Sequence, residues 1–240
     1  MLKMRNELLE FAERSHQYNN LDVLVDEFAQ VIDAQGFGSF IMTGLPSAGN
    51  DVEPLIVANG WSEAWTNRYR EQAYFADDPV SKWSMTRTRP FQWREAWLMH
   101  QSTKRVKQIN GEAKEHRMAD GIAFPMRSIG GWQAVVSLAS EHSLDIGPGG
   151  EALLHMASLY FHMRATEILS ARSRIPQLSP RQREILSWIA AGKSSWEISE
   201  ILSIAQDTVA NHVKAIRERL NVATAVQAVV LALKSGQIQP

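Results

Sequence analysis

Apolar residues in the first part of the chain fall at alternating helix and strand spacings. Leu21, Leu24, Val25, Phe28, Val31 and Ile32 share one helix face, and Gly36 follows as a C-terminal stop. Phe37 to Thr43 reads as a strand, closed by Gly44-Leu45-Pro46 and a polar turn. Pro54 to Ala58 is a second, short apolar strand. Residues 61–75 read as a helix crowded with aromatics; Asp77-Asp78-Pro79 breaks it and can cap the next. Residues 103–119 predict a polar helix. Two strands follow, Gly121–Met126 and Trp132–Ala139, joined by Ser128-Ile129-Gly130-Gly131. Ile146-Gly147-Pro148-Gly149-Gly150 is a turn ahead of a long helix over residues 150–171. The crossings are too short for a row of βαβ units, so the pattern predicts an α+β domain with an antiparallel sheet. Arg172-Ser173-Arg174-Ile175-Pro176 reads as a linker, after which the pattern is helical to the end. The expected organisation is a domain at 1–171, a linker at 172–177 and a second domain at 178–240.

Composition narrows the class. A chain of 240 residues with 45% apolar and 21% charged residues is globular. No window approaches 18 uncharged apolar residues, and the N-terminus lacks an apolar signal core. The absence of cysteine excludes disulfides, thiol catalysis and Cys-ligated zinc, and fits the cytoplasm. A net charge of −1 argues against a general polyanion binder. The charge is uneven, however. From Gln177 onward seven basic residues face five acidic ones, while the preceding 176 residues carry 18 against 21. That is the sign expected of an acidic body with a basic tail domain.

The tail domain opens on Leu178-Ser179-Pro180, with Ser179 as N-cap and Pro180 in the first helical position. Ile185, Leu186, Ile189 and Ala190 make an apolar face, and Gly192 ends the helix. Ser194 or Ser195 caps a second helix carrying Ile198, Ile201 and Leu202, and a tight connection at Ser203–Gln206 leads to a third. In that third helix Val209, Val213, Ile216 and Leu220 cluster on one side, and Asp207, Asn211, Lys214 and Glu218 on the other. The polar side offers groups that can address base edges, and Arg217 and Arg219 flank it in positions suited to phosphates. Thr224–Lys234 makes a fourth, apolar helix. Periodicity alone leaves two readings: a DNA-binding helix-turn-helix, or a small bundle whose polar face is merely solvated.

The residues add a resemblance. Leu178-Ser179-Pro180-Arg181, the run Ala191 to Ser199 and the run Thr208 to Lys214 resemble the four-helix DNA-binding domain of LuxR-type regulators, from about Leu178 to the end. Gln182 departs from the Glu usual in that family; an amide keeps a hydrogen bond but not a charge. The resemblance implies double-stranded DNA as a partner, contacted by Asp207, Thr208, Asn211, Lys214, Arg217 and Arg219. RNA polymerase is a further candidate partner.

Five of the eight tryptophans, Trp61, Trp65, Trp83, Trp93 and Trp97, lie within 37 positions. Such residues suit a pocket for a small amphiphile, although aromatics at i, i+4 are more often plain core. Trp61, Trp65 and Tyr69 follow that spacing and can share a helix face. Trp65-x3-Tyr69, Asp78-Pro79, Trp93 and Gly121, in that order, resemble the signal-binding domain of LuxR-type quorum-sensing receptors. The implied fold is an α-β-α sandwich around an antiparallel sheet, akin to GAF and PAS sensors, and the implied ligand an N-acyl-homoserine lactone. Carried over, Trp65 donates to the lactone carbonyl and Asp78 accepts the ligand's amide N–H. Trp93 packs on the lactone ring, Tyr69 lines the pocket, Gly121 leaves room and Pro79 fixes the turn that aims Asp78. Ser137 matches a position whose hydroxyl often bonds the acyl carbonyl. Trp61 stands where many members carry a Tyr, so the acyl end of the pocket differs from that of straight-chain receptors. Without ligand, Asp78 would lack its amide donor.

The long helix, with Leu153, Leu154, Ala157, Tyr160, Phe161, Ile168 and Leu169, is expected to supply a homodimer contact. A dimer would set two recognition helices about 34 Å apart on a palindrome. No cofactor, metal site or membrane partner is called for. There is no phosphate loop, nucleophile elbow or His-Glu-x-x-His pair, so an enzyme is not expected. A phosphorylated receiver would need alternating βα units, which are not seen. A regulator of the same fold answering to another small molecule, or to none, stays open because of Trp61.

Overall fold

The computed structural model describes residues 2–44, 56–100, 103–127, 133–172 and 175–239. Contacts divide the chain into two units, one ending at Leu169 and one starting at Ser170.

The first unit is built on five strands: β1 (Ser39–Gly44), β2 (Ile56–Asn59), β3 (Phe91–Gln92), β4 (Asp120–Arg127) and β5 (Gln133–Ser140). They lie in the order β2-β1-β5-β4-β3, every pair antiparallel. Strand alternation gives the sheet two different faces. On one, Phe40, Met42, Ile122, Phe124, Val136 and Leu138 join a core with Leu8, Phe28 and Phe161. These come from α1 (Leu2–Arg14), α2 (Leu21–Asp33) and α7 (Gly147–Arg172). On the other face Ala123, Val135 and Ala139 meet Trp65, Trp93, Trp97 and Ile109. Those belong to α3 (Glu63–Glu71), α5 (Trp93–His100) and α6 (Lys104–Glu115), and Val80 of α4 (Pro79–Thr86) packs with them. The result is the expected α-β-α sandwich. Phe28 stacks on Phe161 at 4.2 Å and meets Phe40 edge-on at 5.0 Å, so the first face is dense aromatic packing.

Several elements differ from the sequence expectation. The aromatic helix stops at Glu71; Ala73 turns into the left-handed region (φ 50°), and a single 3-10 turn, Tyr74–Ala76, carries the chain to Asp78. The turn at 146–150 is instead the start of α7: Gly147 and Pro148 occupy positions whose N–H groups have no helical partner in any case. The polar helix ends at Glu115 because Arg117 adopts φ 62°. Neither α5 nor β3 was expected. Pro54, the 128–131 connection, Trp132 and two linker residues, Ser173 and Arg174, lie outside the described residues. The long helix is also corrected in part. Leu154, Ala157, Phe161 and Ile168 are buried against the sheet, so they are not available for a dimer contact. Its large apolar residues that face solvent are Leu159, Tyr160 and Met163.

The second unit is helical: α8 (Pro180–Ala190), α9 (Ser195–Leu202), α10 (Gln206–Leu220) and α11 (Ala225–Lys234). Ser179, Ser194 and Thr224 each form a capping box. In the first, Gln182 accepts from Ser179 N–H at 3.0 Å, the hydrogen bond its amide was expected to keep. Ile185, Ile198 and Val209 form one small core, and Leu186, Ile216, Leu220, Ala228 and Ala232 a second.

Candidate functional site

Between the sheet and the α3–α6 layer lies a cavity of about 460 Å³, within the range of small-molecule sites. Its wall is assembled from short-range rules. Asn59, ending β2, accepts the Trp61 backbone N–H at 3.0 Å, and Ser62 caps α3 through Trp65 N–H. The cap sets the phase of α3, which places Trp65 and Tyr69 one turn apart on the inner face. Trp61, Trp65 and Tyr69 form a triangle of rings with centroids 5.2–6.2 Å apart. Trp65 is 2% exposed. The indole nitrogens of Trp61 and Trp65 are buried and, among the described residues, have no hydrogen-bond partner.

Asp78 is the N-cap of α4, its Oδ1 accepting Val80 N–H at 2.8 Å. Its Oδ2 accepts the Tyr69 hydroxyl at 2.8 Å. The carboxylate thus already holds two protein donors, more than the sequence reading allowed. Burial still dominates and pushes its pKa up from 3.8 to about 6, against the opposing pull of Tyr69, the Val80 N–H and Lys82. Burial, then the charge of Asp78, holds the Tyr69 phenol well above its usual value. On the opposite wall Trp93 Nε1 donates to Ser137 Oγ at 2.9 Å. Gly121 does not line the cavity. It lies behind Trp93: a Cβ there would fall 2.7 Å from the indole and 2.3 Å from the Leu138 carbonyl oxygen. Its role is therefore to seat the ring.

The α3–α6 layer is braced from outside. Glu112 accepts two bonds from Arg68 (2.7 and 2.8 Å) and one from the Tyr74 hydroxyl (2.6 Å). Arg68 is the main reason the Glu112 carboxyl is held down at about 2. Arg105 lies 4.7 Å over the Tyr74 ring, pairs with Asp77 at 3.2 Å and donates to the Gln72 carbonyl.

Sequence reasoning missed Thr43 and Trp97, both of which line the cavity. Signals existed: Phe40 and Met42 point to the other face, so Thr43 must point to this one, and Trp97 is one turn beyond Trp93. Trp83, by contrast, packs on Phe91 at 5.4 Å and hydrogen-bonds His100, away from the cavity wall.

In the second unit, Asp207, Thr208, Asn211, Lys214, Arg217 and Arg219 are all exposed on α10, while Val209, Ile216 and Leu220 are buried. Lys214 sits 4.0 Å from Glu218, too loosely to neutralise it. Alone among these four helices, α10 has no side-chain cap: Ala205 holds the N-cap position.

A sandwich with an aromatic cavity, carried on one chain with a helix-turn-helix unit, is the build of a ligand-responsive transcription regulator. Residues 20–165 match the autoinducer binding domain family, and residues 176–232 the luxR family of bacterial regulatory proteins. The transcriptional activator BjaR1 of Bradyrhizobium diazoefficiens is 30% identical over 98% of this chain and 97% of its own length. The quorum sensing-dependent transcriptional regulator RpaR of Rhodopseudomonas palustris is 32% identical over 90% of this chain and 88% of its own. The chain belongs to the LuxR family of autoinducer-binding regulators. A crystal structure of Escherichia coli SdiA shares the fold, with TM-score 0.76 and 18% identity over 100% of this chain and 99% of that one. SdiA in complex with octanoyl-rac-glycerol aligns with TM-score 0.73 over 97% and 93%. Among the described residues no helix is long and apolar enough to cross a membrane, and no cluster of side chains could hold a metal.

Proposed function

We propose that this protein is a cytoplasmic regulator that takes an N-acyl-homoserine lactone into the aromatic cavity and binds palindromic promoter DNA as a homodimer. The observation that carries the reading is the pair of indole N–H groups, Trp61 and Trp65, that have no partner among the described residues, in a cavity that also holds the buried carboxylate of Asp78. A buried donor without an acceptor costs about 1–3 kcal/mol, so the site favours a ligand that supplies carbonyl oxygens. A lactone amide supplies two carbonyls and one N–H. Trp65 then donates to the lactone carbonyl, Asp78 accepts the amide N–H, and Trp93 and Tyr69 hold the ring. Trp61 donates at the acyl end.

The domains are residues 1–171 and 178–240, joined by 172–177. The exposed face of α10 supplies the DNA contacts, with Asp207, Thr208, Asn211 and Lys214 toward base edges and Arg217 and Arg219 toward phosphates. Leu159, Tyr160 and Met163, exposed on α7, supply the dimer contact.

The test is a thermal-shift scan against lactones with short, long, 3-oxo, branched and aryl acyl groups, run on wild type and Asp78→Asn. A rise with one lactone that the variant loses supports the reading. No rise with any lactone, from a folded dimer, overturns it in favour of a regulator of the same fold with a different signal.

A further inference from the structure

We propose that Trp93 is a positioning residue: by donating its indole N–H to Ser137, it fixes the Ser137 hydroxyl as a donor aimed at the ligand's acyl carbonyl. The inference rests on the lactone reading above and adds a residue role to it. Ser137 on β5 and Trp93 at the start of α5 are 4% and 5% exposed, and Nε1 to Oγ is 2.9 Å. An indole N–H only donates, so the serine oxygen is the acceptor in this bond. A serine hydroxyl has one proton to give, and with Trp93 holding one lone pair the rotor settles with that proton directed elsewhere. Among the described residues no protein acceptor takes it. Both side chains line the cavity, so an acceptor inside the cavity is the remaining partner.

The sheet explains why the ring can reach. Gly121 pairs with Ala139, and Ala123 pairs with Ser137. These four positions share the cavity face, and three of them carry nothing larger than a methyl group. The indole therefore comes close over β4 at Gly121, where any Cβ would meet it at 2.7 Å, and its N–H reaches Ser137. A Phe at position 93 would fill much of the same space but leave the hydroxyl free to turn. The consequence is selectivity. Ser137 can serve a carbonyl oxygen but is a poor acceptor for a ligand N–H, which leaves Asp78 as the acceptor for the amide.

Two measurements on the full chain test this. In the unliganded protein, the indole ¹H–¹⁵N signal of Trp93, assigned by its loss in Trp93→Phe, should move in Ser137→Ala and return in Ser137→Thr. A signal indifferent to Ser137→Ala overturns the proposal whatever the protein binds. The second measurement titrates N-octanoyl-homoserine lactone and its N-octyl analogue, which lacks the acyl carbonyl. Trp93→Phe should weaken the octanoyl ligand at least fivefold more than the octyl one. The double variant Trp93→Phe/Ser137→Ala should show no carbonyl preference beyond that of Ser137→Ala alone. Equal weakening of both ligands means that Trp93 acts by packing only, and overturns the proposal. If wild type binds neither this pair nor the matching acyl and alkyl pairs of the branched and aryl lactones while the indole signature is intact, the lactone reading fails, and with it the carbonyl as the target of Ser137.

Discussion

Replacing Asp78 with Asn should make the empty receptor more stable and the liganded one much weaker. The two side chains have the same shape, so Oδ1 can still cap α4 through Val80, and Tyr69 can accept from the new amide. What changes is charge. A carboxyl moved from 3.8 to about 6 carries a folded-state penalty of about 3 kcal/mol when ionised. The sign follows from linkage. Because the folded value is the higher one, the folded state binds more protons between 3.8 and about 6, and stability rises as pH falls through that window. The penalty is full above about 6 and absent below 3.8. At pH 7.5 the variant should therefore gain about 1–3 kcal/mol, which is roughly 2–12 °C in Tm for a chain of this size, and the gain should shrink at pH 5. Lactone affinity should fall about 10- to 150-fold, the loss of a hydrogen bond to a charged acceptor. Thermal melts at the two pH values and a lactone titration read both effects. A variant that melts lower than wild type at pH 7.5 would refute the reasoning, because Asp78 would then be a structural cap whose charge the fold needs.

Four other substitutions have outcomes set by the same structure. Ala205→Ser should give α10 the side-chain cap it lacks, and raise the urea stability of the helical unit by about 1 kcal/mol. Glu112→Gln should lower the unfolding midpoint at neutral pH by weakening the bonds from Arg68 and Tyr74. Its folded pKa is depressed to about 2, so this contribution is complete above 4.5 and lost as pH falls toward 2; acid titration should show the variant and wild type converging there. On operator DNA, Arg217→Ala should weaken binding similarly across sequences and flatten the salt dependence by about one ion. Asn211→Ala should instead relax the preference at one base pair; a uniform loss from Asn211→Ala would remove it from base contact.

What the sequence made legible was local. The i, i+4 spacing of Trp61, Trp65 and Tyr69, the cap at Asp78-Pro79 and the N-cap at Ser179 are decided within a few residues, and periodicity or cap chemistry reveals them. Long-range pairings were not legible. Trp93 and Ser137 are 44 positions apart, as are Arg68 and Glu112, and nothing in either neighbourhood marks its partner. The family resemblance named Trp93 and Ser137 but gave each a separate role, whereas the structure joins them. Two backbone features, Ala73 and Arg117 in the left-handed region, defeated the helix boundaries because neither residue type favours that conformation. The long helix shows a further limit: an apolar list there mixes residues that face the sheet with residues that face solvent. Separating Phe161 from Tyr160 and Met163 required the packing itself.

The two faces of the sheet satisfy different demands. On one, Phe28, Phe40 and Phe161 are packed ring on ring. On the other, small side chains on β4 and β5 leave a cavity, the buried indole donors of Trp61 and Trp65 have no partner among the described residues, and Asp78 is ionised at neutral pH only at a cost. Each of these polar features lowers the stability of the domain by about 1–3 kcal/mol, the range of an ordinary destabilising mutation. A fold can tolerate them only if the remaining core is dense enough to offset them, or if something arrives to complete them. The brace of Glu112, Arg68 and Tyr74 on the outside of the α3–α6 layer meets the first need, holding the aromatic wall in place while the cavity is empty. A ligand with carbonyls for the indoles and an N–H for the carboxylate meets the second. On the proposed function, such a ligand would stabilise the folded unit by mass action, and a sensor domain that melts at the same temperature with and without bound lactone would refute that route for the signal.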